Sequence, residues 1–286
     1  MIIVEHIRQG ISSLKSHRLR AVITASIIAI GITALVGILT SIDAMGNAIT
    51  KTMTRFGARS FTITNNISVS KYGRRNSYEE LTYAQASQFR NLFDNSATTS
   101  FAINAGFNSR LRFNSVETNP NIRVLGVDEN YLAVSSFELS GGRNFTPEDI
   151  HLGMPWVILG SDVLVQLFGV DITPGMSIGK EVSIDGVPFR VIGELSKKGS
   201  SFGMSGGDRQ VFIGIQKARQ VFTQAQNNVT ITVLSDNVEN LDADMIQAQN
   251  VLRRVRRLRP TDPPNFTMTR SDALANDVKK QLSMVS

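Results

Sequence analysis

From Ala21 to Ile42 the chain reads AVITASIIAIGITALVGILTSI and carries no charge, although Arg18 and Arg20 stand just before it and Asp43 just after. Its length is about 22 residues, and a helix needs about 20 to cross the hydrocarbon core of a bilayer. A cleaved secretory leader would have a shorter apolar stretch followed by a small-x-small site. Here Asp43-Ala44-Met45-Gly46-Asn47 follows, which is a poor cleavage site. The run therefore reads as a retained membrane helix. Gly31 and Gly37, with Ala25, Ala29 and Ala34, give it the small surfaces that helix contacts in membranes use.

Lys15, Arg18 and Arg20 precede the span, so the positive-inside rule puts the N-terminus in the cytoplasm and the rest beyond the inner membrane. Ile3, Ile7, Ile11 and Leu14 recur at spacings of one helical face, which predicts an interfacial helix over 1–17. The span itself is assigned to 18–45. Beyond it Met45, Ile49, Met53 and Phe56 keep the helical period as far as Gly57, which predicts a stalk over 46–59. An extracytoplasmic body then occupies 60–270, and a polar segment, 271–286, closes the chain.

In the body, alternation predicts a strand at Phe61–Thr64, and the polar stretch Ser70–Glu80 reads as a loop. Thr82-x-x-Gln85 is a capping box opening a helix through Phe93. Strands are predicted at Ala102–Phe107, Ser109–Phe113 and Ile122–Val127, and a helix start at Thr146-Pro147-Glu148-Asp149. Trp156–Leu159 reads as a buried strand, followed by a helix capped by Ser161 and ending at Gly169. Pro174-Gly175 turns into a hairpin whose strands, Met176–Ile184 and Val187–Leu195, meet at Asp185-Gly186. A strand at Val211–Ile215, a short helix at Gln216–Phe222 and a strand at Val229–Leu234 come next. Leu241, Met245, Ala248, Leu252 and Val255 mark a long amphipathic helix, and Asn265–Thr269 a last strand. Hairpins interleave with helices, so the class is α+β, with a body of two subdomains.

Little in this body suggests chemistry. The chain has no cysteine, which removes thiol nucleophiles and Cys-ligated metals. Past the span its only histidine is His151, so a hydrolase would have to rely on that one residue, and a surface position suits it better. Neither a cofactor nor a metal is expected. The glycine-rich stretch with Gly199, Gly203, Gly206 and Gly207 lacks the spacing of a phosphate-binding loop and reads as a connector or mobile contact loop. Near the end of the long helix stand Arg253, Arg254, Arg256, Arg257 and Arg259. Arginine suits a helix C-terminus, but five in seven residues exceeds that need. Contact with an acidic partner is the functional reading and a solvated face the plain one. No nucleic-acid-binding pattern accompanies these charges.

In order and spacing, several stretches resemble the MacB/FtsX-like permeases of ABC transporters. LRAVITASIIAIGITALVGI is similar to the first membrane helix of that family, and TRFGARSFTIT to the end of its stalk and first strand. Gly142, Arg143, Phe145 and Asp149 match its G-R-x-F-x-x-x-D element. VILGSDVLVQLFGVDITPGMSIGKEVSIDGVPFRVIGEL resembles its strand, helix, Pro-Gly turn and hairpin, and LRRVRRL with NFTMTR its closing helix and strand. The resemblance implies a dimerising permease, with itself or a paralogue, paired with a separate ABC ATPase and open to a periplasmic adaptor or outer-membrane component. It implies that the extracytoplasmic domain relays nucleotide-driven stalk motion to push substrate outward. It also implies three later spans; the chain stops at Ser286 before any of them, so a fragment of a longer permease is expected. The competing reading is a single-pass anchored domain that binds a partner without transport.

Overall fold

A computed structural model describes residues 18–55, 59–65, 67–69, 75–77, 80–93, 97–198, 208–225 and 228–271. The interfacial helix expected over 1–17 and the segment 272–286 lie outside the described residues. Two compact units result, one holding the N-terminal helix up to Lys51 and the other the body from Thr52 to Asn276.

Helix α1 runs unbroken from Arg18 to Arg55. Within it Val22–Ser41 is long and apolar enough to cross a membrane, and none of that window is buried inside the protein. Four of its hydroxyls are satisfied within the helix. Thr24 donates to the Arg20 carbonyl at 2.9 Å, Thr33 to Ala29 at 2.7 Å, Thr40 to Val36 at 2.8 Å and Ser41 to Gly37 at 2.8 Å. Bonded back in this way, four polar side chains present no unpaired donor to hydrocarbon.

The body is built on one mixed sheet. Its strands are β1 (Ser60–Asn65), β4 (Thr98–Ser109), β5 (Leu111–Phe113), β6 (Val116–Glu117), β7 (Ile122–Val127), β8 (Leu139–Gly142), β9 (Trp156–Leu159), β10 (Glu181–Ile184), β11 (Val187–Leu195), β12 (Gln210–Gly214), β13 (Thr230–Leu234) and β14 (Phe266–Arg270). Their order is β14-β1-β13-β4-β7-β12-β9-β11-β10-β5-β6, with β8 paired to β11. Only β7/β12 and β9/β11 are parallel among these pairs, so the expected α+β class holds. A separate hairpin joins β2 (Ile67–Val69) to β3 (Arg75–Ser77), and β3 falls where the polar composition suggests only a loop.

The helices of the body are α2 (Tyr83–Leu92), α3 (Tyr131–Val134), α4 (Pro147–His151), α5 (Ser161–Phe168), α6 (Ile215–Val221) and α7 (Leu241–Val255). Both threonine boxes form: Thr82 with Gln85 opens α2, and Thr146 with Asp149 opens α4. Phe61, Phe101, Phe189 and Phe212 are buried between these helices and the sheet, with Ile63, Ile103 and Ile158.

Several boundaries differ from the pattern. The first hairpin strand is only Glu181–Ile184, because residues 176–179 turn instead. Gly175 and Gly179 take left-handed φ values of 89° and 81°, and the Glu194 carboxylate captures the backbone N–H of Gly175 and Ser177. The cap of α5 is Gly160 rather than Ser161, whose hydroxyl finds no partner. A side chain at Gly160 would meet the Asp208 carbonyl at 2.5 Å, so that cap must be glycine. The strand expected at Ala102–Phe107 lengthens to β4. Its first part pairs with β13 and its second with β7, so one strand joins the two halves of the sheet.

Candidate functional site

The arginine turn divides into two kinds of residue. α7 buries Leu241, Ala248, Val251, Leu252 and Val255, and the chain reverses just after it, with Arg257 at a left-handed φ of 52°. Arg253 sits over that reversal and donates to the carbonyls of Arg259, Pro260 and Asp262. Arg256 donates to the Asn265 carbonyl at 3.1 Å and to Asn65 Oδ1 at 2.7 Å, which ties the end of α7 to the residue before β14 and to the last residue of β1. Arg254 and Arg257 are exposed instead. Two of the five arginines, Arg253 and Arg256, thus close the helix end, where carbonyls seek donors, while Arg254, Arg257 and Arg259 are exposed.

The four glycines Gly199, Gly203, Gly206 and Gly207 lie outside the described residues, but both sides of their segment are described. The Lys198 N–H donates to Asp208 Oδ1 at 2.9 Å, and the Asp162 N–H to the Asp208 carbonyl at 3.1 Å. Lys198 Nζ donates to the Ser135 carbonyl at 2.8 Å and lies 3.8 Å from the Phe137 ring centroid. Burial pushes this amine down to about 8, against the nearby Asp208 charge. The neck of the segment is therefore fixed by α5, β12 and the turn after α3.

A third cluster grows from the Gly-Arg-x-Phe stretch. Gly142 has a φ of 80°, and a side chain there would collide with the Ile192 carbonyl, so glycine lets β8 lie against β11. Phe145 is buried, and Arg143 Nη1 reaches Asp149 Oδ2 at 2.6 Å. That carboxylate also accepts the Thr146 N–H at 2.9 Å and Trp156 Nε1 at 3.0 Å. Burial works to raise the Asp149 carboxyl, but the hydrogen bonds from Arg143 and Thr146 outweigh it and hold it at about 2. Trp156 is half-buried rather than sealed in the core. Its indole N–H serves Asp149, while Arg190 lies 5.6 Å from its ring centroid.

Two buried carboxylates have no counterpart in the sequence reading. Glu194, 1% exposed, accepts from the Gly175 N–H at 2.6 Å, the Ser177 N–H at 2.9 Å and Ser177 Oγ at 2.6 Å. Asp128, 2% exposed, accepts from Ser100 Oγ at 2.7 Å, the Phe101 N–H at 2.9 Å and Arg90. Each follows or ends an apolar run, which is the faint signal the sequence offers. Among the described residues no group of three or more His, Asp or Glu is placed to hold a metal. His151 is exposed at the end of α4.

These pieces look like joints that hold segments together, and comparison with known proteins agrees in fold and family. The family of the MacB-like periplasmic core domain matches residues 21–277. An uncharacterized ABC transporter permease, YvrN of Bacillus subtilis, is 22% identical over 256 residues, covering 88% of this chain and 61% of that protein. The macrolide export ATP-binding/permease protein MacB of Hahella chejuensis is 28% identical over 224 residues, 77% of this chain and 32% of its own length. The chain thus spans less than two thirds of the length of these relatives. The crystal structure of the periplasmic region of MacB from Actinobacillus actinomycetemcomitans superposes with a TM-score of 0.61 at 20% identity, covering 81% of this chain and 98% of that one. The extracellular domain of the ABC-type transporter YknZ gives a TM-score of 0.55 at 16% identity, covering 73% and 99%.

Proposed function

We propose, on the premise that this chain belongs to the family of MacB-like periplasmic core domains, that it serves an ABC transporter as a transmitter of motion. In this reading a partner ATPase on the cytoplasmic side moves α1, and α1 moves the body on the far side of the membrane. Relatives named for macrolide and pyoverdine export support outward transport as the direction of work. The 286 residues contain no Walker pattern, and in this reading nucleotide hydrolysis belongs to an ATPase that lies outside them.

The observation that carries the reading is the continuity of α1. The apolar window ends at Ser41, yet the helix continues without a break to Arg55. A simple tether needs no helix beyond the bilayer, whereas a helix is stiff along its axis and can carry a push or a twist. The outward-facing Arg254 and Arg257 are proposed as contacts for an acidic surface of a second permease copy or an adaptor.

The absence of cysteine makes a clean test available. Single cysteines at Ser13 and Thr223 are labelled in intact cells with a membrane-impermeant maleimide, and the chain is then purified from its native membrane. The expected result is labelling at Thr223 without lysis, labelling at Ser13 only after lysis, and co-purification of an ABC ATPase. Recovery without any ATPase, with the same labelling, would support a plain anchored binding domain instead.

A further inference from the structure

Strand β4 pairs with β13 through Thr98–Ala102 and with β7 through Ala102–Ser109. The exchange of partners is the seam between the two halves of the sheet, and one carboxylate sits on it. Asp128 follows the last residue of β7 and accepts from Ser100 Oγ and the Phe101 N–H, both on β4. Its third donor is Arg90, in the last turn of α2. The Arg90 guanidinium lies 3.9 Å from the Phe101 ring centroid, donates to the Thr99 carbonyl at 3.2 Å and reaches Glu129 at 3.4 Å. A threonine box pins the start of α2, and this knot pins its end.

We infer that Asp128 and Arg90 form a proton-sensitive latch, in which uptake of a proton by Asp128 releases Arg90 and frees the C-terminal turn of α2 from the seam. The chemistry follows from the donors. All three partners give hydrogen bonds to Asp128, and only the Ser100 hydroxyl could turn round to accept one. A neutral acid therefore keeps its place but gives up the ion pair with Arg90. The groups facing it are Arg90 from α2, Glu129 beside it and Tyr131 from α3, with Arg123 of β7 acting on Tyr131; the β4 residues that contact it are uncharged.

Burial raises the Asp128 carboxyl to about 6, opposed by the Arg90 charge and the Ser100 hydroxyl and aided by the Glu129 charge. The latch thus works within one unit or so of neutral pH. Because Arg90 lowers the affinity of Asp128 for a proton, a bound proton must weaken the hold on Arg90 by the same factor. Global stability moves the other way. A folded value above the ordinary 3.8 means that this group's contribution grows as pH falls from about 6 to about 4. Local loosening without global destabilisation is the signature, and it stands apart from the proposed transport role.

Hydrogen exchange on the full chain in detergent micelles, corrected for intrinsic rates, tests the latch. Between about pH 7.5 and pH 5, protection over residues 83–92 should fall roughly tenfold while residues 230–234 keep theirs. Asp128→Asn should hold 83–92 in the less protected state at both values. Ser100→Ala, a gentler change, removes a bond that favours the charged form and should move the midpoint to higher pH. Unchanged protection of 83–92 in the unaltered chain, or the same midpoint with and without Ser100→Ala, overturns the proposal.

Discussion

Helix α1 and the body use the same aliphatic residues for opposite ends. In α1, Ile30 is 69% exposed and Ile32 58%, whereas in the body Ile103, Ile158, Ile213 and Ile231 are at 1% or less. The body solves its hydrophobic problem internally, by folding a sheet under helices. α1 leaves its apolar surface uncovered by the protein, which is stable only where lipid or another helix covers it. One sequence therefore carries two stability rules, and substitutions can tell them apart.

The largest expected difference comes from Phe212, which is fully buried and packs its ring against Tyr131 and Phe137. Phe212→Ala should cost about 3–5 kcal/mol in urea unfolding of the body and leave membrane insertion unchanged. The reverse case is Ile32→Asp. It should cost about 3–4 kcal/mol of insertion, read as the inserted fraction, while the urea midpoint of the body stays where it was. If both variants moved both readouts, the division between the two rules would fail.

Smaller effects sharpen the picture inside the body. Glu194→Ala strands the donors of Gly175 and Ser177 and should cost about 1–3 kcal/mol in urea unfolding. Asp149 provides the smallest and most specific case. Its folded value of about 2 lies below the ordinary 3.8, so its stabilisation is present above about pH 4 and is lost as pH falls towards 2. Allowing for solvent screening, Asp149→Asn should remove about 1 kcal/mol at neutral pH and flatten the acid limb of the stability profile. An acid limb unchanged by the substitution would contradict the knot drawn around Arg143, Thr146 and Trp156.

What the sequence discloses and what it conceals divide by distance along the chain. Asp185-Gly186 is legible because two left-handed residues, with φ of 49° and 87°, are needed at a tight hairpin and few residue pairs accept them. The threonine boxes are legible for the same local reason, as is the uncharged run of α1. Glu194 is not. It lies in the apolar stretch Val-Ile-Gly-Glu-Leu, and its partners Gly175 and Ser177 are brought to it only by folding. Asp128 likewise meets Arg90 across 38 residues. The arginine cluster shows the limit from the other side: its charge is plain in the sequence, but which members close the helix end depends on where the carbonyls of residues 259–265 come to lie. The need for glycine at the α5 cap, Gly160, has the same origin, since the crowding carbonyls belong to Asp208 and Gln210.

Transmission through α1 is the central claim, and interrupting the helix tests it most directly. In the assembled transporter, Ala44-Met45 is replaced by Gly-Pro, and an environment-sensitive fluorophore is attached at Thr223→Cys on the body. With α1 intact, ATP and vanadate should change the emission of that fluorophore. With the helix broken, ATPase binding and hydrolysis should persist while the emission change disappears. An emission change of equal size from the interrupted helix would contradict the account.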